Sequence, residues 1–152
     1  DLAMAGFAYA FFAGAMAAMR FVGDRVRDRF GAVPTLRVSS LVSAIAMALA
    51  ALVSDPILVI AAFAVCGLAV ANTVPIAFSA AGNTPGVSSG AGMSVATTMG
   101  YAGILLAPSL IGFVAERTGF TPVFLALAGL PAVVCLMAGI ARTADFAHKP
   151  AE

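Results

Sequence analysis

The sequence predicts an all-α membrane protein with five transmembrane helices, and three observations carry that prediction. The first is composition: 62% of the residues are hydrophobic and 10% charged, with a mean hydropathy of +1.05, against roughly 45–50% apolar and 25% charged residues in soluble domains. The second is distribution: of eight basic and seven acidic residues, six lie between Arg20 and Arg29. The third is run length, because the flanking apolar stretches reach the roughly 20 residues that a helix rising 1.5 Å per residue needs to cross a ~30 Å hydrocarbon core.

The net charge of +1 points to neither nucleic acid nor acidic partners, so the placement of the charges is the informative part. Cys66 and Cys135 each sit inside an apolar run with no second Cys or His at ligand spacing, and read as packed thiols. No metal or organic cofactor is implied. No charged segment precedes a short apolar core at the start, so no signal peptide is expected, and with Asp1 in place of an initial Met the chain is expected to be a piece of a longer polypeptide.

The first span is expected over about 2–22. Gly6, Ala10, Gly14 and Ala18 recur every fourth residue, a stripe of small side chains that lets another helix come close. Phe7, Phe11 and Phe12 read as filler, whereas the Tyr9 hydroxyl wants a partner at this depth. Residues 23–34, holding Gly-Asp-Arg-Val-Arg-Asp-Arg-Phe-Gly, read as a short polar loop. Thr35 is the expected cap of a second span over 35–53.

Asp55 and Pro56 form an N-cap and first helical residue for a third span over 56–80. Within it Pro75 lacks an N–H and leaves the Ala71 carbonyl without its helical partner. In lipid that carbonyl must be satisfied internally. A kink beside Asn72 and Thr73 therefore either faces a cavity or rests on a neighbouring helix.

Gly82-Asn83-Thr84-Pro85-Gly86 is a run of turn formers. The fourth span, over 89–115, starts near Ser88 or Ser89; Gly92, Ala96 and Gly100 repeat the small stripe, with Ser94, Thr97, Thr98 and Tyr101 on an adjacent sector. Pro108 frees the carbonyl of Ile104. Thr121 and Pro122 are expected to start the fifth span over 121–142, which Pro131 should interrupt. The tail from Thr143 to Glu152 reads as polar and loose.

Five alternating spans put Arg20, Arg25, Arg27, Arg29, Arg37, Arg142 and Lys149 on one side and Arg117 alone on the other. Basic residues stay cytoplasmic. The N-terminus of the fragment is then expected outside, the C-terminus in the cytoplasm, and the protein in a plasma (bacterial inner) membrane.

Asp28-Arg29-Phe30-Gly31, between two spans, resembles the signature loop of the major facilitator superfamily, whose pattern is Gly-x-x-x-Asp-Arg-x-Gly-Arg-Lys and which recurs in each six-helix half. The match departs from the pattern: Asp24 stands where the first Gly belongs, with Gly23 one place early, and Ala32-Val33 replace the closing basic pair. The resemblance implies that residues 1–152 are a partial C-terminal bundle equivalent to helices eight to twelve, with Gly23, Asp24, Arg25, Asp28, Arg29 and Gly31 as a conformational loop. By position Asp28 would be its acid and Arg29 the adjacent base, pairing with helix ends; the alternative is a solvated loop that only sets topology. Gly100-Tyr101-Ala102-Gly103, Pro108 and Ile111-Gly112 are further similar to the fucose-permease-like branch.

The function implied is alternating access by a secondary transporter moving a small polar solute, a sugar or metabolite, or a drug in efflux. Its partners would be the bilayer, the missing N-terminal half and the solute, with no nucleic acid. Tyr9, Asn72, Thr73, Thr98 and Tyr101 are the candidate substrate contacts. A structural or assembly bundle is the competing class, and would carry no polar cavity on the third and fourth spans. Gly86-Val87-Ser88-Ser89-Gly90 fits the nucleophile-elbow pattern of a serine hydrolase, but a turn precedes it and the single histidine, His148, lies in the tail; no enzyme is expected. All seven acids lie at ends, loops or tail, so no buried proton carrier is expected in this piece.

Overall fold

The computed structural model describes residues 2–148, with side chains from Ala3 to Asp145; Lys149 and Glu152 of the expected tail lie outside the described residues. Six α-helices and a terminal 3-10 helix follow one another: α1 (Leu2–Phe30), α2 (Ala32–Leu52), α3 (Pro56–Val70), α4 (Thr73–Gly82), α5 (Ser89–Thr118), α6 (Phe120–Met137) and the 3-10 segment Ala138–His148. Counting α3 with α4, and α6 with the 3-10 segment, five helices are long and apolar enough to cross a membrane.

The charged block is not a loop. α1 continues through it to Phe30: its three Arg are good helix formers, and the block holds no Pro and only one Gly before Phe30. Arg27 and Arg29 occupy the last turn, where the helix dipole favours cations. Gly31, at φ +83°, reverses the chain in one residue, a conformation that a side chain would strain. α2 therefore begins at Ala32, and Thr35 is buried one turn inside it rather than capping it.

Asp55 caps α3 as the sequence indicates, its carboxylate accepting from the N–H groups of Ile57 at 2.9 Å and Leu58 at 3.0 Å. The helix breaks at Ala71-Asn72 and resumes as α4, just before Pro75, where the missing donor weakens the ladder. Ser88 caps α5 through the Ala91 N–H at 3.3 Å. Gly119, at φ +80°, both ends α5 and starts α6, so the turn lies two residues before the expected Thr121-Pro122. Pro131 does not interrupt α6, which is continuous to Met137.

α1 packs on α3, and α2 packs on both α3 and α6. A backbone-close approach joins α1 to α3: a Cβ on Gly67 would collide with the Phe12 carbonyl. At the other junction a Cβ on Gly92 would collide with the Ala81 carbonyl, bringing α5 against α4. The small stripe expected on α1 behaves differently. A Cβ on Gly6 or Gly14 would meet nothing within 4 Å, nor would one on Gly100 of α5; the α1 stripe is open, and of the α5 stripe only the Gly92 end makes contact.

The core cluster is Ala32, Leu36, Ile76, Ala138, Ala141 and Ala144, joining α2, α4 and the 3-10 segment at the arginine-rich end. Ala138, Ala141 and Ala144 repeat every third residue, the period at which 3-10 side chains eclipse. All three are buried, so the segment that reads as a loose tail is docked as far as Asp145.

Candidate functional site

The polar cavity of the bundle opens at this same end. It holds about 570 Å³ and is walled by Asp24, Arg27, Asp28, Gly31, Ser79 and Asp145, with the Ala144 backbone. Arg27 is its central group. From the last turns of α1 it donates through Nη2 to the Ser79 hydroxyl of α4 at 2.8 Å and to the Ala144 carbonyl at 2.6 Å. The Ser79 hydroxyl also donates to that carbonyl at 3.4 Å, and Thr143 donates to the Ala80 carbonyl at 3.1 Å. Hydrogen bonds from a cation are each worth roughly 1.5–3 kcal/mol, so the half-buried Arg27 is the strongest single tie between α1 and the end of the chain.

Asp145 completes the clasp from the opposite direction. Its Oδ1 accepts from the Ala32 N–H at 2.7 Å. That N–H is among the unpaired donors at the start of α2, where the helix dipole favours an anion. Gly31 has no side chain to cap the helix, and Asp145 does so from 113 positions away. The site therefore pairs a cation at the C-terminus of α1 with an anion at the N-terminus of α2.

The expected loop residues divide around it. Asp24, Asp28 and Gly31 line the cavity; Gly23 is buried in α1, where a Cβ would collide with the Asn72 carboxamide; Arg25 and Arg29 are exposed on the outer side. Arg27, Ser79 and Asp145 are absent from the sequence-based site. The signal for the last lay in the three-residue alanine period that leads to it.

The five candidate substrate contacts do not converge. Tyr9 lines a separate apolar cavity of about 460 Å³ between α1, α2, α3 and α6, with Phe12, Met47, Phe63 and Phe124; the Phe63 and Phe124 rings meet edge-on at 5.8 Å. Asn72 is buried against Gly23, and its Nδ2 has no partner among the described residues. Thr73 is half-buried at the start of α4, while Thr98 and Tyr101 are exposed on α5. α5 touches α4 and α6 but not α1. Of the cysteines, Cys66 is buried with its Sγ 3.4 Å from the Ser43 hydroxyl, and Cys135 is half-buried; both are free thiols.

Comparison with known proteins agrees with this architecture. Over 120 residues, 79% of the chain and 31% of the relative, it is 38% identical to an uncharacterized MFS-type transporter of Yersinia pestis. It is 36% identical to the membrane protein MosC of Rhizobium meliloti over 73% of the chain and 27% of that protein. An uncharacterized transporter of Sinorhizobium fredii is 28% identical over 91% of the chain and 37% of its own length. The chain thus spans well under half the length of the curated relatives it matches, and no solved structure matches it. The family model for the Major Facilitator Superfamily matches residues 1–152, and the chain belongs to that superfamily.

Proposed function

We propose that the chain is the C-terminal bundle of a longer secondary transporter, which moves a small polar solute by alternating access between two helical halves. The observation that carries this reading is the pair of open small-residue faces. A Cβ at Gly6 or Gly14 on α1, or at Gly100 on α5, would meet no other helix within 4 Å among the described residues, and such faces in lipid serve close helix packing. A second half covering both would place Thr73, Thr98 and Tyr101 towards the space between the halves, with Tyr9 at one end. Asn72 would reach solute only when α1 moves off it. The clasp of Arg27, Ser79, Ala144 and Asp145 ties four elements within this half, which suits a bundle that rocks as one body.

Transport by the intact protein in vesicles tests the reading. Counterflow of at least one labelled sugar, metabolite or drug-like solute is expected, with Tyr101→Ala weakening it; a folded protein that exchanges none of a broad panel contradicts it. Orientation is tested separately by cysteine labelling. With seven of the eight basic residues expected on one side, the proposal places them in the cytoplasm, so an impermeant reagent should reach a cysteine at Asp55 or Arg117 from outside but not one at Arg27. Labelling at Arg27 from outside overturns the orientation.

A further inference from the structure

On the outer flank of the arginine-rich end, α1 and α2 leave an apolar groove of about 330 Å³, walled by Met19, Val26 and Phe30 of α1 and by Pro34, Thr35 and Val38 of α2. Met19, Val26 and Phe30 are spaced by seven and four residues and so share one face of the helix. Eleven residues of α1 separate the ends of that wall, about 16 Å at 1.5 Å per residue. This is close to half of a ~30 Å hydrocarbon core, the depth of one leaflet.

The mouth of the groove is positively charged. The Arg29 guanidinium lies over the Phe30 ring, 5.7 Å from its centroid, which holds the cation beside the wall residue nearest the helix end. Arg25 stands four residues before Arg29 on the same flank of α1, Arg37 lies one turn from Pro34 on α2, and all three arginines are exposed. Of these, Arg25 is offset by Asp28, three residues on along the helix, whereas Arg29 sits beside the groove wall. Asp24 and Asp28 line the clasp cavity, a third of a turn or more around α1 from Met19, Val26 and Phe30 at 3.6 residues per turn. Thr35 lies at the floor of the groove, 5% exposed, with its hydroxyl buried.

We infer that this groove holds one glycerophospholipid with an anionic headgroup, its phosphate on Arg29 with Arg37 on the neighbouring helix, and an acyl chain laid along Phe30, Val38, Val26 and Met19. Basic residues at the end of a membrane helix attract anionic lipid. Here a chain-length groove adjoins them, so the lipid is retained at a site rather than drawn to a surface. The inference requires only that the helices lie in a bilayer, and it stands apart from the transport reading.

The test is native mass spectrometry of the intact protein from mixed micelles holding equal phosphatidylglycerol and phosphatidylethanolamine, counting the lipids retained. Wild type is expected to keep phosphatidylglycerol in preference. Arg29→Gln, an exposed substitution, should lower that retention about fivefold, and Val38→Trp, which fills the groove, should remove it. Arg117→Gln is the control, because Arg117 also lies over a ring, that of Phe113, at the opposite end, where it should change nothing. Equal retention of the two lipids by wild type, or unchanged phosphatidylglycerol retention in Arg29→Gln, overturns the site. A dimer that Val38→Trp dissociates without altering lipid retention gives the groove to a second copy, and overturns it as well.

Discussion

α2 and α5 are alike in apolar character, yet 33% of the apolar window of α2 is buried against neighbours and only 6% of that of α5. In water such a difference would leave α5 insoluble; in lipid it does not, because a tail is as good a neighbour as a leucine. Apolarity therefore assigns a helix to the membrane, and small or polar side chains decide what it touches. α2 buries Ala32, Thr35, Ser40, Ser43, Ala44 and Ala46, with Ser43 against Cys66 of α3. α5 makes its close approach at Gly92 and leaves Gly100, Gly103 and Gly112 facing open space.

The contrast breaks most sharply at glycines. Gly67→Leu drives a side chain into the Phe12 backbone, and overpacking without room to yield should cost about 3 kcal/mol, seen as loss of folded protein by size-exclusion chromatography in detergent. Gly14→Leu meets nothing in this chain. It should leave folded yield near wild type and slow transport by the intact protein, since that face is proposed to meet the other half. If Gly14→Leu were as destructive to folding as Gly67→Leu, the open face would be part of the core of this bundle.

The next effect separates the two kinds of charge at the arginine-rich end. Arg27→Ala removes two hydrogen bonds from a half-buried guanidinium and should cost about 2 kcal/mol of stability in thermal unfolding. Asp28→Asn should change stability by less than about 0.5 kcal/mol, because Asp28 is an exposed wall of the cavity, while slowing the transport cycle with solute binding intact. A larger loss from Asp28→Asn than from Arg27→Ala would return the central role to the acid that the family signature singles out.

The same residues show how far the sequence could be read. Run lengths were legible from composition, and the Asp55 cap, the start near Ser88 or Ser89 and the break before Pro75 because each depends on residues within one turn. The polar block at Gly23–Gly31 was not legible as helix, since charge usually marks a loop between spans, whereas here α1 extends through it and Gly31 alone turns the chain. Thr35 looked like a cap by residue type; the group that actually caps α2 is Asp145, and no local pattern announces a contact over 113 positions. Of the small stripes only Gly92 meets a helix of this chain, while Gly6, Gly14 and Gly100 face open space; a period of four cannot say where a partner lies. Asn72 was singled out for its chemistry, and its contact with Gly23 depends on the angle at which α1 crosses α3.

Arg27 holds the last turns of α1 to α4 and the 3-10 segment, and a double-mutant cycle measures that tie directly. Arg27→Ala, Ser79→Ala and the double variant would be compared by reversible unfolding of the intact protein in one detergent. With the Arg27 Nη2 2.8 Å from the Ser79 Oγ, the account predicts a coupling of about 1 kcal/mol. Losses that add to within about 0.3 kcal/mol would show that the two side chains do not meet in the membrane, and would contradict the clasp.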